Sequence, residues 1–422
     1  MSNVRWGRIV DSDSVTGMAM ASYVGTGKGL LTLLLVVSPL LAADRTPPGL
    51  NLTIGRDTTY VDGPVRADGT IDYAAALRAR LSEGVTPDNN AATLLLQAFG
   101  KSFVEEDHVD DALRLTGLTA MPDEGGTFVS LEDYAQHADR TGERAVGDPV
   151  SSQLTEAMEG PWAADDLPLI AGWLAANEKP LALLMEASKR SRFFFLLKPS
   201  EDDCVVRLPN LACVRDVLRA LQCRAMLRLH DSDVEGAHAD ALALHRLGRL
   251  VAGGGTMIEY LVGVATDRSA LHAHQQIVAC GRLTADQARR HAEALRRLPP
   301  FSSAGKIADE VERCFVLYGA MCLTDPQATG QLAKSSVGAT LTLPGFREHR
   351  LLLDAGVDWD VVFRDVNQSL DRAIGFMALD AAARAKARDA PADDSHEQQR
   401  KRGKILDEGL SAFCRQASQG DG

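Results

Sequence analysis

Apolar residues recur at intervals of three and four positions along residues 208–323. This spacing places them on one face of an α-helix, so it predicts successive amphipathic helices that pack through their apolar faces. The inward positions of the first two predicted helices are Leu211, Val214, Leu218, Leu221, Ala225 and Leu229, followed by Val234, Ala237, Ala241, Leu244, Leu247 and Val251. We therefore expect a core of stacked helices in this part of the chain.

Short turns separate these predicted helices. Ser232 with Glu235 and Thr284 with Gln287 have the spacing of a capping box, which satisfies unpaired amides at a helix start. The remaining helices and breaks of this region are a helix over 256–280, a helix from 285 with Ala285, Ala288, Ala292, Leu295 and Leu298 inward, a helix over 304–323 with Ile307, Val311, Cys314, Tyr318 and Cys322 inward, and breaks at 253–255 and 299–300. Because the turns are short, consecutive helices should run antiparallel.

The rest of the chain divides around this core. We predict a signal peptide or N-terminal anchor at 1–43, an extended arm with short helices at 44–150, a core of helical hairpins at 151–356 and C-terminal helices at 357–422. Thr86 and Pro87 predict a helix start, since they suit the N-cap and first helical positions. The run Phe193–Phe195 predicts a buried strand or packed connector, with the wall of an apolar groove as the alternative. Other predicted elements are an arm at 44–70, helices at 71–81, 130–138, 165–190 in two pieces, 358–388 and 395–416, and a loop or short strand at 341–346.

The segment from Gly29 to Ala43 carries no charge. A helix that spans a bilayer needs about 20 apolar residues, so this segment is too short and instead fits the apolar region of a secretory signal. Export to the periplasm or cell envelope is the expectation that follows. An uncleaved membrane anchor and a buried core helix are the alternatives, and only the anchor would give the protein a membrane partner.

The formal net charge of the chain is −12. A protein that binds nucleic acid needs a basic face to neutralise phosphates, so we expect no nucleic-acid partner. The composition, with 45% hydrophobic and 24% charged residues, is that of a globular protein.

Seven cysteines are spread over residues 204–414, and none forms a C-x-x-C pair. A structural zinc site or a thioredoxin-type redox pair therefore lacks its usual motif. Cys314 and Cys322 share a predicted helix at a separation of about 12 Å, too far for a disulfide. We interpret most of the cysteines as small buried apolar residues, with disulfides between different helices as the alternative.

Two resemblances involve longer stretches. Residues 224–250 resemble the turn and second helix of a tetratricopeptide unit, with small residues at Ala225, Ala237 and Ala241 where two helices would pack closely. The stretch from Tyr60 to Gly100, together with the hairpins from Leu208 to Pro299, resembles uncharacterised exported helical proteins of planctomycete bacteria. That resemblance implies export and an all-α fold built as an irregular array of antiparallel hairpins, and it implies no active site.

Several short patterns could hold a metal or a phosphate, but each has a simpler interpretation. Glu235 and His238 form an E-x-x-H pair; a di-iron bundle needs two such motifs, so we predict a capping residue and a solvent-facing histidine. Two further histidine pairs, 238 with 245 and 272 with 274, have the wrong spacing on a helix to chelate one ion. The other patterns are the glycine-rich residues 25–29, the partial calcium loop 68–72 and the D-x-D of 358–360.

No catalytic motif is recognisable, and we expect neither a metal nor a cofactor. The leading hypothesis is an exported helical scaffold that binds another envelope protein or peptide without catalysis, since such arrays present extended binding surfaces. The alternative is an envelope hydrolase whose site is assembled between helices. The polar residues in or beside apolar stripes that could form such a site are Glu259, Tyr260, Asp309, Glu310 and Glu312.

Overall fold

The computed structural model describes residues 52–141, 149–196, 210–322 and 358–378. Over these ranges the fold is all-α, as expected: the chain forms helices, turns and isolated bridges, and no strand. The helices are α1 Tyr73–Leu81, α2 Ala91–Phe99, α3 Val109–Thr116, α4 Leu131–Thr141, α5 Val150–Glu159, α6 Pro168–Ala176, α7 Glu178–Ala187, α8 Asn210–His230, α9 Val234–Ala252, α10 Met257–Ala279, α11 Ala285–Arg296, α12 Ala304–Ile307, a π-helical turn Ala308–Glu312, α13 Arg313–Cys322 and α14 Trp359–Ala378. The leader, the segment 341–346, the helix 395–416 and the side chains of Cys204 and Cys414 lie outside the described residues.

Helices α8, α9 and α10 form consecutive antiparallel pairs, as the short turns predict. Arg224 and Arg228 near the end of α8 both contact Asp240 near the start of α9. The same reversed order joins α9 to α10, where residues early in one helix meet residues late in the other. α9 and α10 cross closely at Gly248 and Gly263, where a Cβ on Gly248 would come 2.7 Å from the carbonyl oxygen of Gly263. Glycine at the crossing is what permits this close backbone contact.

The helix starts confirm some predicted caps and correct others. The capping box of Thr284 and Gln287 is present at α11. The predicted box of Ser232 and Glu235 is wrong, because the side chain of Asp233 accepts the hydrogen bond from the Gly236 amide instead. Each solution satisfies an amide that would otherwise lack a partner in the first turn.

The main hydrophobic core extends from α2 to α10. The predicted inward face of α9 is buried along its whole length, and the six residues of that stripe are Val234, Ala237, Ala241, Leu244, Leu247 and Val251. A second, smaller core joins α1, α13 and α14, with Tyr73 and Tyr318 packed edge to face at its centre. These two cores determine which face of each helix remains exposed.

The run Phe193–Phe195 is a buried connector, which agrees with the prediction. The buried side chain of Asn90 accepts a hydrogen bond from the Phe194 amide and donates one to the Phe194 carbonyl, both at 3.0 Å. Asn90 also caps α2, so the helix start predicted at Thr86 and Pro87 is wrong by four residues. One amide side chain thus fixes both a helix start and the connector beside it.

The N-terminal arm packs against α14 through polar contacts. Asn367 donates to the Thr58 carbonyl oxygen at 2.6 Å. Arg313 pairs with Asp309 and Asp371, and its guanidinium lies 4.5 Å from the centre of the Tyr60 ring. This arginine therefore joins the π-helical turn, α14 and the arm.

Candidate functional site

Two of the five polar residues proposed for a hydrolase site meet at the first turn of α10. Glu259 is buried, and one of its carboxylate oxygens accepts hydrogen bonds from the Thr256 amide and the Thr256 hydroxyl, both at 2.9 Å. Glu312, also buried, accepts a hydrogen bond from the Met257 amide at 2.6 Å. The π-helical turn carries Glu312 to this position, and such turns are often found at functional sites.

Burial shifts both carboxyl groups toward the protonated form. Removal from water raises the pKa of Glu312 to about 7, the hydrogen bond from the Met257 amide opposes this shift, and the nearby Glu259 charge adds to it. Burial also raises the pKa of Glu259, against hydrogen bonds from Thr256 that favour the carboxylate. A carboxyl group that titrates near neutrality could act as a general acid or base. The same groups also satisfy the amides at the start of α10, which is a structural role.

The other three candidate residues lie elsewhere. Asp309 pairs with Arg313, and Glu310 pairs with Arg80 at 2.8 Å. Tyr260 packs edge to face against Phe301, with ring centres 6.5 Å apart. The structure therefore brings together Glu259 and Glu312 only, and the five residues do not form one site.

The outer face of α10 carries a row of exposed apolar side chains, which we call the α10 row. Its members expose between 39% and 68% of their surface and are Ile258, Leu261, Val264, Leu271 and Val278. Arg268 and Gln275 are exposed at the intervening turns. Since the opposite face of α10 packs on α9, this helix is apolar on two sides, and sequence periodicity could not reveal which side remains outside.

Four histidines from α9, α10 and α11 are buried together, which we call the histidine cluster. They expose between 5% and 8% of their surface and are His238, His245, His274 and His291. The prediction that His238 faces solvent is therefore wrong. Glu235 is not a cap either: it pairs with Arg290 at 2.6 Å and contacts His291 at 3.4 Å. The short turn between α9 and α10 predicts that the two helices run antiparallel, and this arrangement is what brings their histidines together.

The histidine pairs behave as the helix geometry predicts. His272 and His274 diverge: His272 contacts the Glu159 carbonyl oxygen, whereas His274 points into the cluster. His238 and His245 share a face of α9, and both rings lie 5.1 Å from the ring of His274. Asp267 is a further polar neighbour of the histidine cluster, and its carboxylate contacts both His245 and Arg249.

Metal-ligand spacing occurs elsewhere, in the turn before α3. Among the residues that the structure describes, the trio whose ligand atoms lie within 4.8 Å of one another is Glu105, Asp107 and His108. His108 Nδ1 lies 3.0 Å from the Asp107 carboxylate, and an ordinary hydrogen bond accounts for this contact. Two other patterns have structural roles: Asp68 accepts from the Thr70 amide, and Asp360 accepts from the Thr53 amide. The glycine-rich residues 25–29 lie outside the described residues.

Comparisons with known proteins found no matching family model, no matching curated protein and no matching solved structure. Across the described ranges, no helix combines the length and the apolar character needed to cross a membrane.

Proposed function

We propose that this protein is an exported helical scaffold that binds an amphipathic helix of another envelope protein, without catalysis, on the outer face of α10. The α10 row is the observation that carries this proposal. Its five members lie at helical spacing and stay exposed although the opposite face of the helix is packed. A row of apolar side chains at this spacing is the surface that a partner helix recognises through its own apolar stripe.

The dimensions of the α10 row suit a helix as the partner. Ile258 and Val278 mark its ends, and they are about 30 Å apart at 1.5 Å per residue. Such a length would accommodate several turns of a helix packed alongside, with contacts at three- and four-residue intervals. A compact ligand would contact only part of the row.

Charge defines the partner further. Arg268 lies at the middle of the α10 row and is exposed, and it makes no ion pair with any residue in the described parts of the chain. An acidic residue at the centre of the partner helix would complement it, and complementary charges fix the register of an interface. The expected partner is therefore an amphipathic helix with an apolar stripe and a central carboxylate.

A labelled synthetic peptide tests the proposal. The probe has leucines at three- and four-residue spacing and one central glutamate, and binding is followed by fluorescence anisotropy. Leu271→Glu places a charge in the α10 row and should weaken binding at least tenfold. Val361→Glu makes the same change at an exposed apolar position of α14 and should leave binding unaltered.

Two results would contradict this proposal. One is equal binding of the probe to both variants. The other is a self-associating protein, seen by analytical ultracentrifugation, that Leu271→Glu converts to a monomer, because the row would then bind a second copy of the chain.

Export rests on the uncharged segment from Gly29 to Ala43. Cleavage close to Ala43 would release the scaffold into the periplasm, and retention of the segment would tether it to the membrane. Mass measurement of the mature protein from an envelope fraction distinguishes the two. Material that begins at Met1 in a cytosolic fraction would refute export.

A hydrolase with its site between helices is the second candidate, and the buried pair Glu259 and Glu312 favours it. A general acid or base at Glu312 would give hydrolysis with a pH dependence near 7, the pKa of this group. Screening ester, peptide and glycoside substrates with the wild type and Glu312→Gln tests this function. Turnover that the substitution abolishes would support it, and turnover by neither protein would exclude it for those substrates.

A further inference from the structure

Two of the four imidazoles of the histidine cluster, His274 and His238, have hydrogen bonds that define which of their nitrogens carry a proton. His274 Nδ1 lies 3.1 Å from the Ala270 carbonyl oxygen, which can only accept, so this nitrogen carries a proton. In a neutral ring, His274 Nε2 must then accept, and His238 Nδ1 donates to it at 3.0 Å. A second proton on His274 would remove the acceptor and break this bond.

Helix α11 is held on the cluster by a stacked pair of histidines. The rings of His238 and His291 lie 3.5 Å apart at an angle of 6°. His291 is the buried residue of α11, whereas Ala285 and Ala288, predicted to face inward, are exposed. This helix is therefore attached by the stacked rings together with the ion pair between Arg290 and Glu235.

The charges around the stacked pair come from three helices. α9 presents Glu235 and Arg246, α10 presents His274, and α11 presents Arg290 beside His291. Farther along, Asp267 faces His245 together with Arg249. α8 directs its arginines to Asp240, which is two residues from His238 and so lies on another side of α9.

Burial opposes a proton at three of the four imidazoles: it lowers the pKa of His245, against the effect of the Asp267 carboxylate beside it, and it also lowers the pKa of His238 and of His274. Glu235 lies beside His291, and Asp267 lies beside His245. Burial, together with the neighbouring imidazoles of His291 and His274, lowers the pKa of His238 to about 3. Burial likewise lowers the pKa of His274 to about 4. His238 and His274 are therefore neutral while α11 is in place.

We infer that the stacked pair His238 and His291 is a pH-sensitive latch, which holds α11 against α9 and α10 at neutral pH and releases it in acid. Release of α11 returns His238 to solvent, where an imidazole has a pKa near 6.5. The form with α11 released therefore binds a proton at a pH where the form with α11 docked does not. The docked form is fully favoured above this value and loses that advantage as the pH falls from about 6.5 toward 3. At pH 5 this favours release by up to about 30-fold for one histidine. The inference does not depend on the proposed function.

Hydrogen exchange followed by mass spectrometry tests the latch on the full protein. Exchange is measured at pH 7.5 and pH 5.0 and converted to protection factors, which removes the intrinsic pH dependence of exchange. We expect peptides covering 285–296 to lose protection by ten- to thirty-fold at pH 5.0, while the interior of α9 and α10 keeps its protection. Equal protection of α11 at both pH values would overturn the inference, and so would a uniform loss across all helices.

Two glutamine variants separate the latch from a general acid effect. His238→Gln keeps a planar group that can donate to His274 Nε2 and cannot be charged, so its α11 response should fall at least fivefold. His272→Gln changes a histidine of α10 that lies outside the cluster and should respond like the wild type. If His238→Gln responds like the wild type, the latch is wrong. If that variant fails to fold, the wild type alone still tests the latch, because its loss of exchange protection at pH 5.0 is either confined to α11 or uniform across all helices.

Discussion

Removal of the Asp240 carboxylate tests the antiparallel packing of α8 and α9. Its side chain is 0% exposed and accepts hydrogen bonds from Arg224 at 2.6 and 3.1 Å and from Arg228 at 2.8 Å. Asp240→Ala would leave both guanidinium groups without their acceptor between two packed helices. Loss of one partner from a buried ion pair costs about 3–5 kcal/mol. Since Arg224 and Arg228 are 14% and 32% exposed, water would recover part of that cost, and we expect a loss of about 3 kcal/mol.

Urea denaturation followed by far-UV circular dichroism measures this change. The matched control is Glu235→Ala, which removes a carboxylate from the same helix. The side chain of Glu235 is 49% exposed and its partner Arg290 is 62% exposed, so the control should cost no more than about 1 kcal/mol. A loss below 1 kcal/mol for Asp240→Ala, or equal losses in the two variants, would refute the reasoning.

Two further predictions concern α10. Glu312→Gln should flatten the pH dependence of stability. A carboxyl group whose pKa is raised from 4.5 to about 7 in the folded protein makes the protein less stable as the pH rises through that interval, by at most about 3 kcal/mol. Urea denaturation at pH 5 and pH 8 measures this, and the same change in the free energy of unfolding for wild type and variant would contradict the prediction. Gly263→Ala would force a Cβ onto the Gly248 carbonyl oxygen and should lower the stability by about 2 kcal/mol or more. The control is Gly375→Ala, where a Cβ meets nothing within 4 Å, so this change should be neutral or slightly stabilising. Thermal denaturation measures both. Equal effects of the two alanines would contradict the close crossing.

The local pattern of the sequence predicted the helices of the core and much of their packing. The stripe of α9 and the capping box at Thr284 and Gln287 depend on spacing within one helix, and both are present. The helix start at Thr86 and the box at Ser232 were wrong because several nearby residues can cap, and tertiary contacts select among them. Asn90, for example, is selected by its bonds to Phe194.

The candidate sites were harder to predict because each needs the register between helices. His238 was predicted at the surface, yet α10 and α11 bury it beside two other imidazoles. Glu259 and Glu312 are 53 positions apart in the sequence, and only the packing of the π-helical turn on α10 brings them together. The α10 row was not predicted, because the helix has apolar residues on both faces and the sequence does not indicate which face is exposed.

A charge exchange across the interface tests the proposed docking on α10 most directly. Binding of the synthetic helix is measured for wild type and Arg268→Glu, each with the central glutamate of the probe kept or replaced by lysine. We expect each single reversal to weaken binding several-fold and the double reversal to restore it, which corresponds to a coupling of about 1 kcal/mol. Affinities that stay the same in all four combinations, or that show no restoration, would contradict the placement of a partner helix on this face.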